Sequence, residues 1–373
     1  MQNGLFLSQR LIGREAEIQR LCQILVEDGD CLLVGAPGIG RRSLIRAAAE
    51  QMGVRVIEID CFRSTSATRF LRLLADSVTD VFANPTELRL LQTWLQPYPI
   101  VLEQQVPSRS RLTWHLPLED EWMLFQTLLD LPQFMADALN CRVVILFLNF
   151  PHIRSWDRSG QWESHLRQAI QQQSRVSYTL VASVVEAWAE SSDLHIIALA
   201  PLEPEIMEAW IVPAMATEGF QFTPEALKLF LEIVQGHIGD AISLAHRIWL
   251  DGQIRAAASR DWSQVKAKAE PAWIEAHHVH RSVIALIEDL ATTFESLILL
   301  LPPSQVRVLE SLALDPTDRP QAREYIQKHQ LTRGGSLQGA LASLEQKGLL
   351  YGQSGGYRVA LPFLAFWLRK RLS

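Results

Sequence analysis

The sequence predicts an α/β fold with a parallel sheet, followed by a helical region and a C-terminal winged helix-turn-helix. Apolar strand-like runs alternate with helical segments up to about residue 200, which is typical of a parallel sheet covered by helices on both faces. Strand signals then stop after Pro201, and three helices and a hairpin are predicted from about residue 302. We therefore expect an α/β domain over 1–200, a helical lid with linker helices over 201–300, and a winged-helix domain over 301–373.

The first predicted strand leads into a glycine-rich loop that is spaced for phosphate binding. The apolar run 32–34 predicts a buried strand, and the Ala-rich segment 43–52, closed by Gly53, predicts a helix. A strand, a tight turn and a helix N-terminus aim backbone N–H groups and the helix dipole at one anion. The predicted loop consists of Gly35, Ala36, Pro37, Gly38, Ile39, Gly40, Arg41, Arg42 and Ser43. The alternative is a glycine-rich turn that binds nothing.

Two positions of this loop carry the wrong side chains for catalysis. A working loop reads G-x-x-x-x-G-K-[ST], with the Lys on the β- and γ-phosphates and the hydroxyl on Mg²⁺. Arg41 and Arg42 occupy those positions, and the planar guanidinium is not a conservative replacement for the ammonium. Ser43 is one residue out of register, so its hydroxyl would bind a metal only if the helix began one residue late.

The expected acidic pair is also missing after the most apolar run of the chain. Residues 142–148 predict a central parallel strand, and Asn149 and Phe150 follow where a metal-binding acid and a catalytic base are needed. Asn149 is neutral, and Phe150 has no acid–base chemistry. We expect no catalytic residue at these degenerate positions and no bound metal. The loop is then expected to bind ATP or ADP without Mg²⁺, or to be structural only.

The other elements follow from periodicity and capping residues. In the α/β region we predict strands at 54–60, 177–183 and 194–198, an edge hairpin strand at 111–116, a helix opened by Ser66, and a helix over 122–139 that breaks at Pro132. Thr223 as N-cap and Pro224 at the first position open a later helix. One or two long helices are predicted over 253–300, where His277 and His280 share a face, but no Cys or carboxylate cluster beside them or His278 completes a metal site.

The composition is that of a globular protein without membrane or secretion signals. The 373 residues are 48% hydrophobic and 20% charged, which allows a sizeable core. Residues 1–10 lack the features of a signal peptide, and no run reaches about 18 apolar residues. We expect a cytoplasmic protein without a membrane partner. The widely spaced cysteines are predicted to be buried thiols and not a disulfide or zinc framework: Cys22, Cys31, Cys61 and Cys141.

The predicted winged helix has a mixed charge pattern. Helices at 303–312, 321–329 and 336–347 precede a hairpin of 349–351 with 356–359. Residues 302–373 contain ten Lys or Arg and five Asp or Glu, a balance of +5, while the chain as a whole carries −6. However, the predicted recognition helix has no Lys or Arg over 336–346, and three basic residues lie at 369–371. We expect weak nucleic-acid binding at most, and domain packing or protein contact as the main role.

Four blocks in order resemble the archaeal-type ATPases, a STAND-like family of the AAA+ P-loop NTPases. The resemblance covers most of the chain and implies an AAA+-like P-loop NTPase sheet domain, a helical lid and a winged helix, with Ile12 and Gly13 near the nucleotide base. The blocks are Leu11-Ile12-Gly13-Arg14-Glu15, then Leu131-Pro132-Gln133 with the strand at Val143, then Gly236-His237 with Leu244-Ala245-His246 and Trp249, and finally Gly356-Tyr357-Arg358-Val359 through Pro362-Phe363 to Trp367-Leu368.

The departures from this family fall mainly where it performs chemistry. Its Lys-Thr pair is Arg41-Arg42, its Asp-Glu pair is Asn149-Phe150, its G-S pair after the next strand is Ala182-Ser183, its lid Pro is Ile238, and the Asp of its closing block is Leu361. Nor is there an Arg over 191–196, where the family often places one. This pattern is typical of a pseudo-ATPase.

Three functions remain open from the sequence. The first is a degenerate ATPase that acts as a scaffold or regulatory subunit, with protein partners or self-association. The second is a slow ATP-dependent switch activated by a partner, and the third is a winged-helix regulator that binds DNA. Eleven tryptophans are compatible with contact surfaces, although a buried core is the commoner explanation.

Overall fold

The computed structural model describes residues 11–106, 109–114, 121–170, 174–259, 272–331, 334–352 and 356–372. They form two compact units, each with its own hydrophobic core. The sheet unit comprises residues 14–34 and 41–198, and the helical unit comprises the described residues up to 13, 35–40 and those from 199 onward. The three predicted domain boundaries remain a prediction.

A five-stranded parallel sheet forms the centre of the sheet unit. The strands of this unit are β1 (Cys31–Val34), β2 (Arg55–Asp60), β3 (Ile100–Val106), β4 (Arg109–Trp114), β5 (Val143–Leu148), β6 (Val176–Ala182) and β7 (His195–Ala198). The sheet order is β2-β5-β6-β1-β7, and β3 pairs with β4 in a separate antiparallel hairpin. Strand β1 therefore lies between β6 and β7, and β5 lies between β2 and β6. The predicted parallel sheet is confirmed, while residues 115 and 116 of the predicted edge strand lie outside the described residues.

Seven helices flank these strands in the described part of the sheet unit. They are α1 (Glu15–Val26), α2 (Arg41–Met52), α3 (Ala67–Val81), α4 (Pro85–Leu95), α5 (Glu121–Leu139), α6 (Gln161–Ile170) and α7 (Ala187–Glu190). Ser66 caps α3 by accepting the N–H of Arg69, as predicted. The predicted break at Pro132 is wrong, because α5 continues through this buried residue. Packing against α3 and α4 outweighs the hydrogen bond that proline cannot donate.

The helical unit contains the remaining elements. They are α8 (Pro204–Thr217), β8 (Phe220–Phe222), α9 (Pro224–Val234), α10 (Ile238–Ser259), β9 (Ala272–Ile274), α11 (Ala276–Leu299), α12 (Pro303–Leu314), α13 (Arg323–Lys328), α14 (Gly335–Gln346), β10 (Leu350–Tyr351), β11 (Arg358–Val359) and α15 (Pro362–Leu372). Thr223 accepts the N–H of Ala226 as the N-cap of α9, as predicted.

One expectation for this unit is wrong, and another is confirmed. Strands do not stop after Pro201, because β8 and β9 form a short parallel pair, and three residues are too few for a recognisable alternation. The winged helix is confirmed by the order α12, α13, α14 and the antiparallel pair β10–β11. Among the described residues, no helix combines the length and the apolar character needed to cross a membrane.

Candidate functional site

The glycine-rich loop follows β1 directly and leads into α2. Gly38 and Gly40 have φ values of +81° and +97°, which only glycine adopts without strain. Gly35 has no room for a side chain, since a Cβ there would lie 3.1 Å from the carbonyl oxygen of Leu199. The loop therefore requires its glycines for backbone conformation and close approach.

The loop turns two carbonyl groups toward the start of α10. The oxygen of Pro37 accepts a hydrogen bond from Nε2 of His237 at 2.8 Å, and the oxygen of Gly38 accepts one from the N–H of Gly239 at 3.0 Å. Carbonyl and N–H groups of a trans peptide point in opposite directions. The N–H of Gly38 therefore points away from α10, as it would in a backbone cradle for an anion, whereas the N–H of Ile39 donates to the carbonyl oxygen of Ala36 at 3.4 Å.

Ile12 and Gly13, predicted near a nucleotide base, pack in the helical unit. Ile12 is buried. Gly13 has φ +57°, and a Cβ at this position would lie 2.0 Å from Cγ2 of Ile206 on α8. This close approach gives a structural reason for the glycine, and contact with a base remains a prediction.

Arg41 and Arg42 already have partners inside the sheet unit. The Nη1 of Arg41 donates to the carbonyl oxygen of Ala182, at the end of β6, at 3.0 Å, and burial lowers the pKa of its guanidinium. The Nε of Arg42 donates to Glu58 on β2 at 2.9 Å, and Arg46 donates to the same carboxylate at 2.9 Å. Both guanidinium groups are therefore already engaged within the sheet unit, although each keeps further N–H donors.

Ser43, which was predicted to reach a metal only if the helix began late, lies in the first turn of α2. The helix begins at Arg41 and not later. The Ser43 hydroxyl therefore remains one residue away from the position that Ser or Thr occupies in a working loop.

Asn149 and Phe150 follow the end of β5, where Asn149 is hydrogen-bonded and Phe150 is buried. The backbone of Asn149 adopts the left-handed conformation, with φ 54° and ψ 42°. Its side-chain Nδ2 donates to Oδ1 of Asp60 at 3.0 Å. Phe150 is only 1% exposed and packs edge-on against Phe147 and Trp188. The position of a catalytic base is thus part of the hydrophobic core.

Asp60 is a site residue that the sequence interpretation missed. It ends β2, next to β5, and its Oδ1 also accepts the N–H of Phe62 at 3.1 Å. An acidic residue at the end of a predicted parallel strand is a signal for such a site, because the carboxyl ends of neighbouring parallel strands meet at one edge of a sheet. The strand order that makes β2 the neighbour of β5 could not be read from the sequence.

Two further carboxylates near these strand ends are paired. Arg154, just after β5, donates to both oxygens of Glu163 at 2.6 Å, and also to Glu186, which follows β6. The hydrogen bonds of Glu163 are the main reason that the pKa of Arg154 is raised. This network fixes the segment after Asn149 and shares the single positive charge of Arg154 between two carboxylates.

Across the described ranges, no group of three His, Cys, Asp or Glu side chains is arranged to bind a metal ion. His278 caps α11, where its Nδ1 accepts the N–H of Glu275 at 3.1 Å. The four cysteines are free thiols, two buried and two half-buried.

Five of the ten basic side chains of the winged-helix region contact other groups of the fold. The Nζ of Lys328 lies 2.6 Å from Asp315, and that of Lys347 donates to Gln305 at 2.8 Å. Lys370 bonds Glu288 on α11 at 3.2 Å. Arg358 and Arg371 lie over aromatic rings, those of Tyr351 and Trp367. Part of the positive charge behind the +5 balance is therefore engaged by other groups of the fold.

Together, the parallel sheet, the loop after β1 and the C-terminal winged helix define a P-loop NTPase fold with a winged-helix domain. Two family models agree: residues 10–182 match the AAA ATPase domain, and residues 292–370 match a probable winged helix domain. No curated protein matches the chain.

Solved structures with a similar fold include two archaeal proteins. The Walker-type ATPase PABY2304 of Pyrococcus abyssi is 17% identical, with a TM-score of 0.64 over 98% of this chain and 99% of that one. The Orc1 protein of Aeropyrum pernix, solved in complex with DNA, is 14% identical, with a TM-score of 0.51 over 99% of this chain and 97% of that one. At these identities the likeness concerns the fold alone.

Proposed function

We propose that this protein is a degenerate ATPase of the AAA+ type that acts as a scaffold or regulatory subunit without efficient hydrolysis. The observation that carries the proposal is that the residues at the expected catalytic positions are engaged in other contacts. Arg42 bonds Glu58, Asn149 donates to Asp60, and Phe150 is buried in the core. Phosphoryl transfer needs a metal that neutralises charge and a positioned water, and these residues offer no carboxylate for a metal and no base for the water.

The residues do not fit Mg²⁺. The usual hydroxyl ligand is replaced by Arg42, a cation. Asn149, at the position of the outer acid, uses its amide N–H₂ to donate to Asp60, whereas Mg²⁺ binds oxygen ligands in a strict octahedron. We therefore derive no catalytic step through a metal.

Nucleotide binding without Mg²⁺ is part of the proposal. The loop turns the N–H of Gly38 away from α10, which supports an anion cradle, and the N–H of Ile39 could join it by releasing the Ala36 oxygen. Arg is a good bidentate phosphate partner, and the Glu58 carboxylate competes with a phosphate for the Arg42 guanidinium. Glu58→Gln should therefore strengthen ATP binding, because it removes the competing carboxylate charge, while Arg42→Ala should weaken it.

Calorimetry with ADP and ATP, with and without EDTA, tests this part. We expect equal affinities under both conditions and the order E58Q, wild type, R42A from strong to weak. A strict requirement for Mg²⁺ would refute the idea that arginine side chains replace the metal at the phosphates. The absence of any binding would mean that the loop is structural only. The proposed function would then be reduced to a scaffold that binds no nucleotide.

Exposed apolar side chains support a role in protein contact. Leu299 and Leu300, at the end of α11, are 85% and 84% exposed, and exposed apolar side chains are common at interaction surfaces. A cytoplasmic protein partner, or a second copy of this chain, is the kind of ligand we propose. Size-exclusion chromatography with light scattering tests self-association directly, and a strictly monomeric protein would leave only the partner.

A second candidate function is a DNA-binding regulator. It is favoured by the winged-helix match and by the fold likeness to an Orc1 protein that was solved in complex with DNA. Against it, α14 carries no Lys or Arg, and base-reading helices usually present such side chains. We place it second for this reason.

A further inference from the structure

The start of α10 contacts both the glycine-rich loop and the first turn of α15 through two side chains. His237 is 3% exposed, and its Nε2 lies 2.8 Å from the oxygen of Pro37. Asp240, in the first turn of α10, accepts the N–H of Phe363 through Oδ2 at 3.0 Å. Its other oxygen, Oδ1, lies 3.2 Å from Nδ1 of His237. A continuous row of hydrogen-bonding groups thus joins the loop backbone to the last helix of the winged-helix region.

His237 can complete this row in two protonation states. The Pro37 oxygen can only accept, so Nε2 carries a proton in both states. In the neutral state, Nδ1 accepts the N–H of Asp240, which lies 3.1 Å away. In the charged state, Nδ1 donates to the Asp240 carboxylate instead. The same carboxylate caps α15, where a negative charge is favourable at the helix N-terminus.

We propose that His237 and Asp240 form a latch, set by a proton, that ties the glycine-rich loop to α15. The imidazolium closes the latch by fixing the carboxylate that caps α15, and the neutral ring loosens it. The latch requires no ligand at the loop and does not depend on the loss of ATPase activity. The latch consists of these two side chains together with the Pro37 carbonyl and the Phe363 N–H.

The surroundings of His237 in the helical unit set the direction of the switch. Asp240 is the charged side chain that faces it from α10; the loop contributes the Pro37 carbonyl, and α15 contributes the Phe363 N–H through Asp240. Burial disfavours the imidazolium, but the hydrogen bond and charge of Asp240 and the Pro37 carbonyl outweigh it, so the pKa of His237 is raised. The latch is therefore closed below the ordinary His pKa of about 6.5 and is lost as the pH rises through the higher folded value.

Two neighbouring glycines provide a matched pair of probes. A Cβ on Gly38 would lie 2.6 Å from Cε1 of His237, whereas a Cβ on Gly40 would lie 3.5 Å from Cδ1 of Ile238, an ordinary contact. Both residues have positive φ, so both alanine variants carry a similar backbone strain. Only Gly38→Ala displaces the imidazole.

Amide hydrogen exchange of the full-length chain tests the latch at the peptide that contains Phe363. With intrinsic rates corrected, we expect wild-type exchange to be roughly five- to tenfold faster at pH 8.5 than at pH 6, the effect of a lost helix cap. Gly38→Ala should give the fast rate already at pH 6, and Gly40→Ala should behave like wild type. His237→Gln retains a donor for Pro37 but cannot titrate, so its corrected rate should not change with pH. His246→Gln, farther along α10, is the control.

Three results would overturn the latch. The first is an equal effect of the two glycine variants at Phe363, which would indicate general loop strain. The second is an unchanged pH dependence in His237→Gln. If Gly38→Ala does not fold, Asp240→Asn decides the question, because it retains an acceptor for Phe363 without the charge. Its exchange should then be independent of pH, and a wild-type pH profile in this variant is the third contradicting result.

Discussion

Asn149 and Asp60 share a hydrogen bond at the place where a metal-dependent enzyme would carry a negative charge. Replacing Asn149 by Asp restores the expected acid but sets two carboxylates where an amide now donates at 3.0 Å. Like charges at this distance disfavour ionisation of both. We expect N149D to lose roughly 1–3 kcal/mol of unfolding free energy at pH 7.5, and to recover most of it near pH 4, where one carboxyl is protonated.

Urea unfolding at the two pH values measures this effect. Asn149→Gly is the matched control, since glycine accepts the left-handed backbone and removes the hydrogen bond without adding charge. Its loss should be the same at both pH values. An N149D variant as stable as wild type at pH 7.5 would mean that the Asn149–Asp60 contact does not contribute to the free energy of unfolding.

Residue identities were the most predictable part of the candidate site. The motif spacing identified Arg41, Arg42, Asn149 and Phe150 as altered positions from the sequence alone. Their partners could not be predicted, because Glu58, Asp60 and Ala182 come from other strands. Contacts of this kind depend on strand order, which no local pattern encodes.

At the scale of elements, apolar runs predicted the five sheet strands, since strands buried on both faces are continuously hydrophobic. The failures have physical causes as well. Pro132 reads locally as a helix breaker, yet it lies inside α5 because tertiary packing dominates over propensity. The pair β8–β9 joins two segments far apart in sequence, and each strand has only three residues.

Asp30, immediately before β1, should make the stability of the sheet unit depend on pH. Its carboxylate accepts the N–H of Tyr178 at 2.7 Å, and burial raises the pKa of this carboxyl to about 7. The native state therefore holds the proton more tightly than the unfolded chain. The free energy of unfolding should fall as the pH rises from about 4 to about 7 and level off above.

Asp30→Asn keeps an acceptor oxygen and removes this titration. We expect the variant to lose the decline between pH 4 and pH 7, a difference on the order of 2 kcal/mol after allowance for partial solvent exposure. Urea unfolding over this pH range is the measurement, with the exposed Asp193→Asn as control. An unchanged slope in D30N would show that Asp30 is ionised throughout.

At the scale of the whole molecule, the order of sheet, helices and winged helix was predictable because each region has its own periodicity. The role of the winged helix was not, since a count of charges does not show which are engaged. Lys370 and Arg371, two of the three basic tail residues, contact Glu288 and Trp367. This arrangement favours packing or partner recognition over base reading.

We therefore expect weak DNA binding that falls steeply with salt and ignores sequence. Gel shifts on random and genomic duplexes at two salt concentrations measure it, with the full-length chain and a truncation after Leu368. The truncation should abolish what binding there is. A tight, sequence-selective complex that survives the truncation would place the DNA-binding regulator first.

Phosphate release from ATP tests the central claim most directly. Wild type and Arg41→Ala are incubated at micromolar concentration with ATP and Mg²⁺ for hours. Because we propose that Arg42, Asn149 and Phe150 together remove the metal and base functions, we predict that both proteins release phosphate at the background rate. Turnover comparable with that of ordinary P-loop ATPases, abolished by Arg41→Ala, would contradict the account.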